Sequence, residues 1–277
     1  MAVPAATETP AREAGRRDEP RRAGRELLLE VVFRPLSSAL ASPLARAGIS
    51  PPVVVLANAA VGVVAAIVLF TGNLVGAAVL LQLKTLLDNT DGALARATDR
   101  VTLAGRYLDT VADLGVNVAI FVALGHVTGE PILAAAAFVA LTLVLAIDFN
   151  VTELYREQHG VPTVQPHATG GSAEQALAAA YRLFFGPLDR VVRGVSAWRF
   201  GSRPAYDRFA VTVLANVGLT TQLAALGLCL VFGAPSVYFW LVLGCLVLAA
   251  ALHVRAELRV RRSPRSVRAN ERNCERL

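Results

Sequence analysis

Charge and aromatic residues are scarce in this chain. Only 17% of its 277 residues are charged and 6% aromatic, whereas 55% are hydrophobic and the mean hydropathy is +0.51. A soluble domain carries about 25% charged and about 45–50% apolar residues, so the balance argues against a soluble globular enzyme. It also excludes a chain disordered throughout, which is too polar to bury a core. Cysteine is rare. Cys229 and Cys245 lie in apolar runs and Cys274 in a charged tail, with no CxxC or zinc-like spacing, which excludes a disulfide-built secreted fold. Lysine is all but missing: of 27 basic residues, Lys84 alone is not arginine, and the net charge is +6.

A basic balance points to nucleic acid or to an anionic membrane surface, and position separates the two. Residues 1–24 and 256–277 read as Arg-rich tails, the first disordered and without the continuous apolar stretch of a signal peptide. Neither tail has an aromatic residue on which bases could stack, so no nucleic-acid partner is expected. What lies between, residues 25–255, is dominated by long apolar runs.

A membrane-spanning helix needs about 20 mostly apolar residues. Six segments qualify, at about 52–71, 74–90, 105–127, 131–149, 209–232 and 236–254. The connections after the first, third and fifth are short and lack Lys or Arg. The arginines gather in the tails, the 91–106 turn and the 154–208 loop. By the positive-inside rule both termini are then cytoplasmic, as an even number of spans requires. The expected fold is an all-α membrane protein of six transmembrane helices with cytoplasmic interfacial helices. Residues 25–47, interrupted by Pro35, and the run Leu177, Tyr181, Phe184, Leu188, Val192 and Val195 have the spacing of such helices. Packing on the cytoplasmic end of the bundle explains the same spacing.

The chemistry is concentrated in Asp88-Asn-Thr-Asp91-Gly92-Ala-Leu-Ala95-Arg96 and Gly105-Arg-Tyr-Leu-Asp109-Thr-Val-Ala-Asp113. Carboxylates at a membrane boundary are costly and usually functional. Asp88 and Asp91 share a face at the end of the second span, and Asp109 and Asp113 share a face of the third. The turn between the spans is short enough to bring the pairs together. Four converging carboxylates repel one another in a low-dielectric site, and a divalent cation resolves that repulsion. Oxygen-only ligands suit Mg²⁺ or Mn²⁺, which substrate phosphates commonly complete. Gly92 and Ala95 leave one side of the turn without bulk, and Arg96 offers a planar cation suited to phosphate. Phosphoryl transfer at the cytoplasmic membrane face is the expected chemistry.

The spacing, DxxDGxxAR followed eight residues later by GxxxDxxxD, resembles the signature of the CDP-alcohol phosphatidyltransferase family, with all eight positions intact across residues 88–113. The resemblance extends over roughly residues 25–255. It implies that Asp88, Asp91 and Asp109 hold two metal ions bridging the pyrophosphate of a CDP-linked donor. It implies that Asp113 is the general base for the incoming hydroxyl and touches the second metal, and that Gly92, Ala95, Arg96 and Gly105 line the CDP site. The reaction would replace CMP with an alcohol in one displacement during phospholipid synthesis, with CDP-diacylglycerol as the expected donor. The family precedent also implies a homodimer in the plasma membrane, and the small residues Ala134–Ala137 would permit close helix approach. One departure matters. Members often begin the first span with Thr-Pro-Asn, and here Ser50-Pro51-Pro52 lacks the Asn. Leu114 follows the fourth aspartate, where glycerophosphate-type members often have Lys and inositol-phosphate-type members often have Arg, which disfavours both acceptors.

Other residues have plainer readings. Lys84 sits one turn before Asp88, so a local ion pair and a role at the substrate are both open. Arg106 either offsets charge near Asp109 or serves the site. Tyr155 and Arg156 read as solvated loop residues, and Asp148 and Asn150 as helix-end residues. His159, His167 and His253 have no ligand-like partner in the sequence, and Cys229 and Cys245 read as packed thiols. The competing function is a small ion transporter or channel using intramembrane carboxylates. Such paths place acids near the midplane on several helices, whereas the first, fifth and sixth spans here contain no Asp or Glu.

Overall fold

A computed structural model of the chain describes residues 24–160, 165–168, 170–184, 186 and 206–262. Most of both expected tails, and Leu188, Val192 and Val195 of the second interfacial segment, lie outside the described residues. Every regular element among those residues is a helix.

The N-terminal segment is continuous through Pro35. A π-turn, Leu29–Phe33, leads into α1, Arg34–Arg46, and the Arg34 N–H donates to the Leu29 carbonyl. Proline lacks an N–H and its ring presses on the carbonyl four residues before it, and the wider π-turn gives that ring space. α2, Pro51–Phe70, starts on a proline, which has no N–H to leave unsatisfied. α3, Leu74–Ala97, is capped by Asn73, whose side chain accepts from the Gly76 N–H at 2.9 Å. α4, Leu103–Thr128, is capped by Thr102, whose hydroxyl accepts from the Gly105 N–H at 3.1 Å.

The later helices depart from the expected boundaries. α5, Pro131–His159, continues well past residue 149 and ends on Gly160, which adopts a left-handed conformation. Asp148 and Asn150 therefore lie inside the helix rather than at its end, and Tyr155 and Arg156 are helical rather than in a loop. The loop helix α6 covers 172–184. The span expected as one helix over 209–232 is broken in two: α7, Arg208–Ala215, and α8, Leu219–Val231, meet at a 44° bend around Asn216 to Gly218. α9 runs Pro235–Arg262, so the first residues of the expected C-terminal tail are helical.

α3 lies against α1, α2 and α8. α2 also packs on α4, α4 on α5, α5 on α9, and α9 on α8. The main core holds Leu69, Leu81, Leu124, Leu226 and Leu230, with Phe121 among Phe138, Tyr238 and Phe239. The outer faces are as apolar as the inner ones. Val53, Leu56, Ile67, Val79, Val122, Ile132, Trp240 and Val247 are all exposed. A soluble monomer rarely presents contiguous apolar surface on this scale, and hydrocarbon is the solvent that suits it. α2, α4, α5 and α9 are each long and apolar enough to cross a membrane, and the bent α7–α8 pair makes a fifth. α3 has the length, since 24 residues rise about 36 Å, but it carries Lys84, Asp88 and Asp91. The protein is thus an all-α, multi-pass membrane protein.

α1 turns Ala41 onto Val54 and Leu94 and leaves Leu36 and Leu40 exposed, as the π-turn before it leaves Val31 and Val32. It therefore packs on the bundle with one face and keeps an apolar face free. At the other side, Asp207 caps α7 through the Ala210 N–H and pairs with Arg255 and Arg259 of α9, at 3.3 and 2.6 Å. Partial burial alone would raise its pKa. The Ala210 N–H and the two guanidiniums outweigh that and hold the carboxyl below its ordinary range.

Close helix contact constrains α2 at Gly62, where any Cβ would collide with the Val116 side chain of α4. Gly62→Leu is expected to destabilise the folded protein by about 1–3 kcal/mol through overpacking. Thermal unfolding in detergent checks this: the melting temperature falls, while Leu substituted at the exposed Val63 leaves it unchanged.

Candidate active site

The two acidic motifs sit on α3 and α4, and the turn between them is tightly specified. α3 closes with Asp99 in a left-handed conformation, the Arg100 N–H donating to the Ala95 carbonyl at 2.9 Å and the Asp99 N–H to Arg96 at 3.4 Å. This is the hydrogen-bond pattern of a Schellman cap, with aspartate where glycine is usual. The chain then extends to Thr102, which starts α4. The long loop clamps this turn from outside: the Leu103 N–H donates to the His167 carbonyl at 3.0 Å, and the His167 N–H to Val101 at 2.9 Å. His167 thus acts through its backbone. Tyr181 of α6 also meets Tyr107 of α4, with ring centres 5.2 Å apart.

This geometry brings Asp88 of α3 together with Asp109 and Asp113 of α4. One carboxylate oxygen from each lies within 4.8 Å of the others, close enough to share a metal ion. Asp91 is outside this closest group, one turn further along α3 and buried. Its Oδ2 has no hydrogen-bond partner among the described residues.

Two further polar side chains enter the cluster. Asn58 of α2 is 1% exposed and donates from Nδ2 to Asp88 Oδ1 at 3.0 Å, while its own buried Oδ1 has no partner among the described residues. Sequence reasoning passed over Asn58. The signal was present, because Asn58 is the single residue with a polar side chain in the whole of α2. The helix whose start lacks the familiar Asn does supply one, two turns later, and gives it to an aspartate. Lys84 of α3 is fully buried. Its Nζ is 2.8 Å from Asp113 Oδ1 and 3.7 Å from Asp88 Oδ1. The local pair with Asp88 is therefore the longer contact, and the stronger partner is on the neighbouring helix.

The donor set can be tested against a hard divalent cation. Such an ion takes oxygen ligands, and the cluster offers carboxylate oxygens without any Cys or His. Buried polar atoms are almost always hydrogen-bonded, yet Asp91 Oδ2 and Asn58 Oδ1 both stand beside the cluster with lone pairs unused. The residues fit the group.

Gly92 and Gly105 have local structural reasons as well. A Cβ on Gly92 would come within 3.3 Å of an Arg96 guanidinium nitrogen, and one on Gly105 within 3.0 Å of the Thr102 hydroxyl. The first glycine lets Arg96 lie back along the helix, and the second admits the cap. Arg96 itself is exposed at the end of α3. Arg106 is exposed too, with its guanidinium 5.6 Å from the centre of the Phe149 ring.

The remaining candidates lie elsewhere. Asp148 has one carboxylate oxygen near Gly218 at the bend and is not in the carboxylate group of Asp88, Asp109 and Asp113. His159 bonds the Tyr155 carbonyl through Nδ1 at 2.9 Å. His253 does have close partners: it bonds the Tyr206 hydroxyl and lies 3.1 Å from Glu257, joining the end of the long loop to α9. Cys229 and Cys245 are free thiols, the second accepting from Gln222 Nε2 at 3.3 Å.

Comparison with known proteins follows the same lines. The chain is similar to the phosphatidylinositol phosphate synthase of Mycobacteroides abscessus, 38% identical over 99 residues, a stretch that is 35% of this chain and 45% of that protein. It is similar to the phosphatidylinositol phosphate synthase of Mycolicibacterium smegmatis at 35% identity over 99 residues, with the same shares. The match thus spans less than half the length of these curated relatives. The family model described as CDP-alcohol phosphatidyltransferase matches residues 49–254, from the residue before Ser50 to the helical turn of His253, and so takes in every element that builds the carboxylate cluster. With the motif, the helical bundle and the cluster in agreement with that match, the chain belongs to the CDP-alcohol phosphatidyltransferase family.

Proposed function

We propose that this protein transfers a phosphatidyl group from CDP-diacylglycerol to an alcohol acceptor and releases CMP, at the cytoplasmic face of the plasma membrane. One observation carries the reading: Asp88, Asp109 and Asp113, from two adjacent helices, present oxygens within 4.8 Å of one another inside an apolar bundle. In this reading α3 is a span despite its charges. Six spans then result, and both termini and the site are cytoplasmic.

Asp88, Asp91 and Asp109 would hold two divalent ions, Mg²⁺ or Mn²⁺, with Asp113 touching the second. When bound, these ions supply charge neutralisation at the transferring phosphoryl group and at the departing CMP. Asp113 takes the acceptor's proton as the acceptor oxygen bonds to phosphorus and the bond to CMP breaks. Asn58 holds Asp88 in place by donating to Oδ1. Gly92, Ala95, Arg96 and Gly105 line the approach to CDP, with Arg96 pairing a phosphate. The acyl chains of the donor enter between helices from the bilayer.

The relatives' name makes inositol phosphate the first acceptor to try, whereas Leu114 stands against it. A homodimer accords with the family. Of the small residues Ala134–Ala137, Ala134 and Ala137 are buried inside the chain, Ala134 against Gly125 of α4, which leaves Ala135 and Ala136 for such a contact.

CMP release by the detergent-purified protein tests the proposal. With CDP-diacylglycerol, Mg²⁺ or Mn²⁺ and the right acceptor among inositol phosphate, glycerol 3-phosphate, inositol, serine and phosphatidylglycerol, release is expected and chelation abolishes it. Asp113→Asn should abolish turnover while metal still raises the melting temperature by mass action. Near-full activity in that variant would remove Asp113 from the base role. Asn58→Leu is expected to cost about 10–100-fold in metal affinity or turnover, because an unheld carboxylate binds metal less well. Titration of Mn²⁺ and initial rates measure the two effects separately.

A further inference from the structure

Lys84 is the chain's single lysine, and it is the one fully buried cation among the described residues. Everywhere else this sequence meets a need for positive charge with arginine. The surroundings of Lys84 show why arginine does not serve here. Its stem passes between α2 and α4, where a Cβ on Gly62 would already be 3.3 Å from Lys84 Cδ, so the channel fits a narrow chain. At its end the ammonium faces Asp113 Oδ1 at 2.8 Å and Asp88 Oδ1 at 3.7 Å, two of the three carboxylates able to share a metal. A compact point charge with three donors can serve both. A planar guanidinium fork is too broad for that approach.

The consequence is electrostatic. Without metal, several carboxylates within a few ångströms of one another, enclosed by apolar helices, would repel strongly, and Lys84 offsets that repulsion. A divalent ion placed among Asp88, Asp109 and Asp113 finds a fixed positive charge already bonded to Asp113 and ion-paired with Asp88. The same ammonium that holds the empty cluster together therefore opposes the ion. A diphosphate arriving with the ion brings negative charge to the same place and cancels that opposition.

We propose that Lys84 is a built-in counter-cation that competes with divalent metal for Asp113 and Asp88, so that metal binds firmly only together with the nucleotide. The inference rests on the metal-binding role proposed above for these aspartates.

The test measures Mn²⁺ binding by electron paramagnetic resonance, with and without CDP, on the full chain and on Lys84→Gln. The native protein should bind Mn²⁺ weakly alone and at least about tenfold more tightly with CDP. Lys84→Gln should bind Mn²⁺ without nucleotide at least about tenfold more tightly than the native chain, and CDP should then add little, since the opposing unit charge within about 4 Å is gone. Equal or weaker binding by Lys84→Gln overturns the proposal. The native chain offers a second measurement that needs no variant to fold. Uniform ¹⁵N-lysine labelling gives one side-chain resonance, that of Lys84. It should shift when Mg²⁺ and CDP are added together and stay in place with Mg²⁺ alone at the same concentration. A resonance that stays in place in a protein shown to bind Mg²⁺ and CDP overturns the proposal. Mn²⁺ bound by neither protein, with or without CDP, overturns the metal site itself and this inference with it.

Discussion

Carboxylates do not stay charged inside a hydrocarbon slab unless other groups answer their charge. The arrangement around α3 follows from that constraint. Its face bearing Asp88 and Asp91 cannot meet lipid, so α3 is the helix enclosed on several sides, by α1, α2 and α8. The answering groups are Asn58 from α2 and Lys84 from α3 itself, while the Asp109 and Asp113 face of α4 adds to the charge that must be met. Away from this site the helices pack largely with Ala, Gly and Leu inside and turn Val, Leu and Trp outward, as the bilayer permits.

The separation of the two motif halves has a structural reason that does not involve the ligand. Eight residues between Arg96 and Gly105 hold one Schellman cap, a short extended link and one Thr cap, so that α4 starts in register with the end of α3. The backbone bridge to His167 fixes that link from the far side of the long loop. The loop after α5 is thereby coupled to the position of Asp109 and Asp113. A second tie holds the other end of the loop, where Tyr206 and Asp207 meet His253, Arg255 and Arg259 of α9.

Much of this was legible in the residue order. A run of about 20 apolar residues can span a membrane and do little else, so the α2 and α9 regions were plain from composition. The site aspartates were plain because acids at the end of apolar runs are costly, and their three- and four-residue spacing defines helix faces. Less legible were features that depend on neighbours in space. The continuation of α5 to His159 is one, since its polar last turns read locally as loop. The bend at Gly218 is another, because the run from 209 to 232 is apolar across the break. Asn58 was visible as an oddity in an apolar helix, but nothing in its surroundings in the chain named Asp88 as its partner 30 residues away.

Residue order was enough for the class, for where most of the apolar helices lie and for the chemical character of the site. Those follow from local properties: hydropathy, helical periodicity, and oxygen ligands at set intervals. Which groups share charge was set by how the helices pack. Lys84 reads in the sequence as the i,i+4 partner of Asp88, yet packing puts Asp113 nearer, at 2.8 Å against 3.7 Å. Periodicity reports which side of a helix a residue occupies. It does not report which neighbouring helix faces that side, and in a low-dielectric interior the nearest opposite charge governs the energetics of the site.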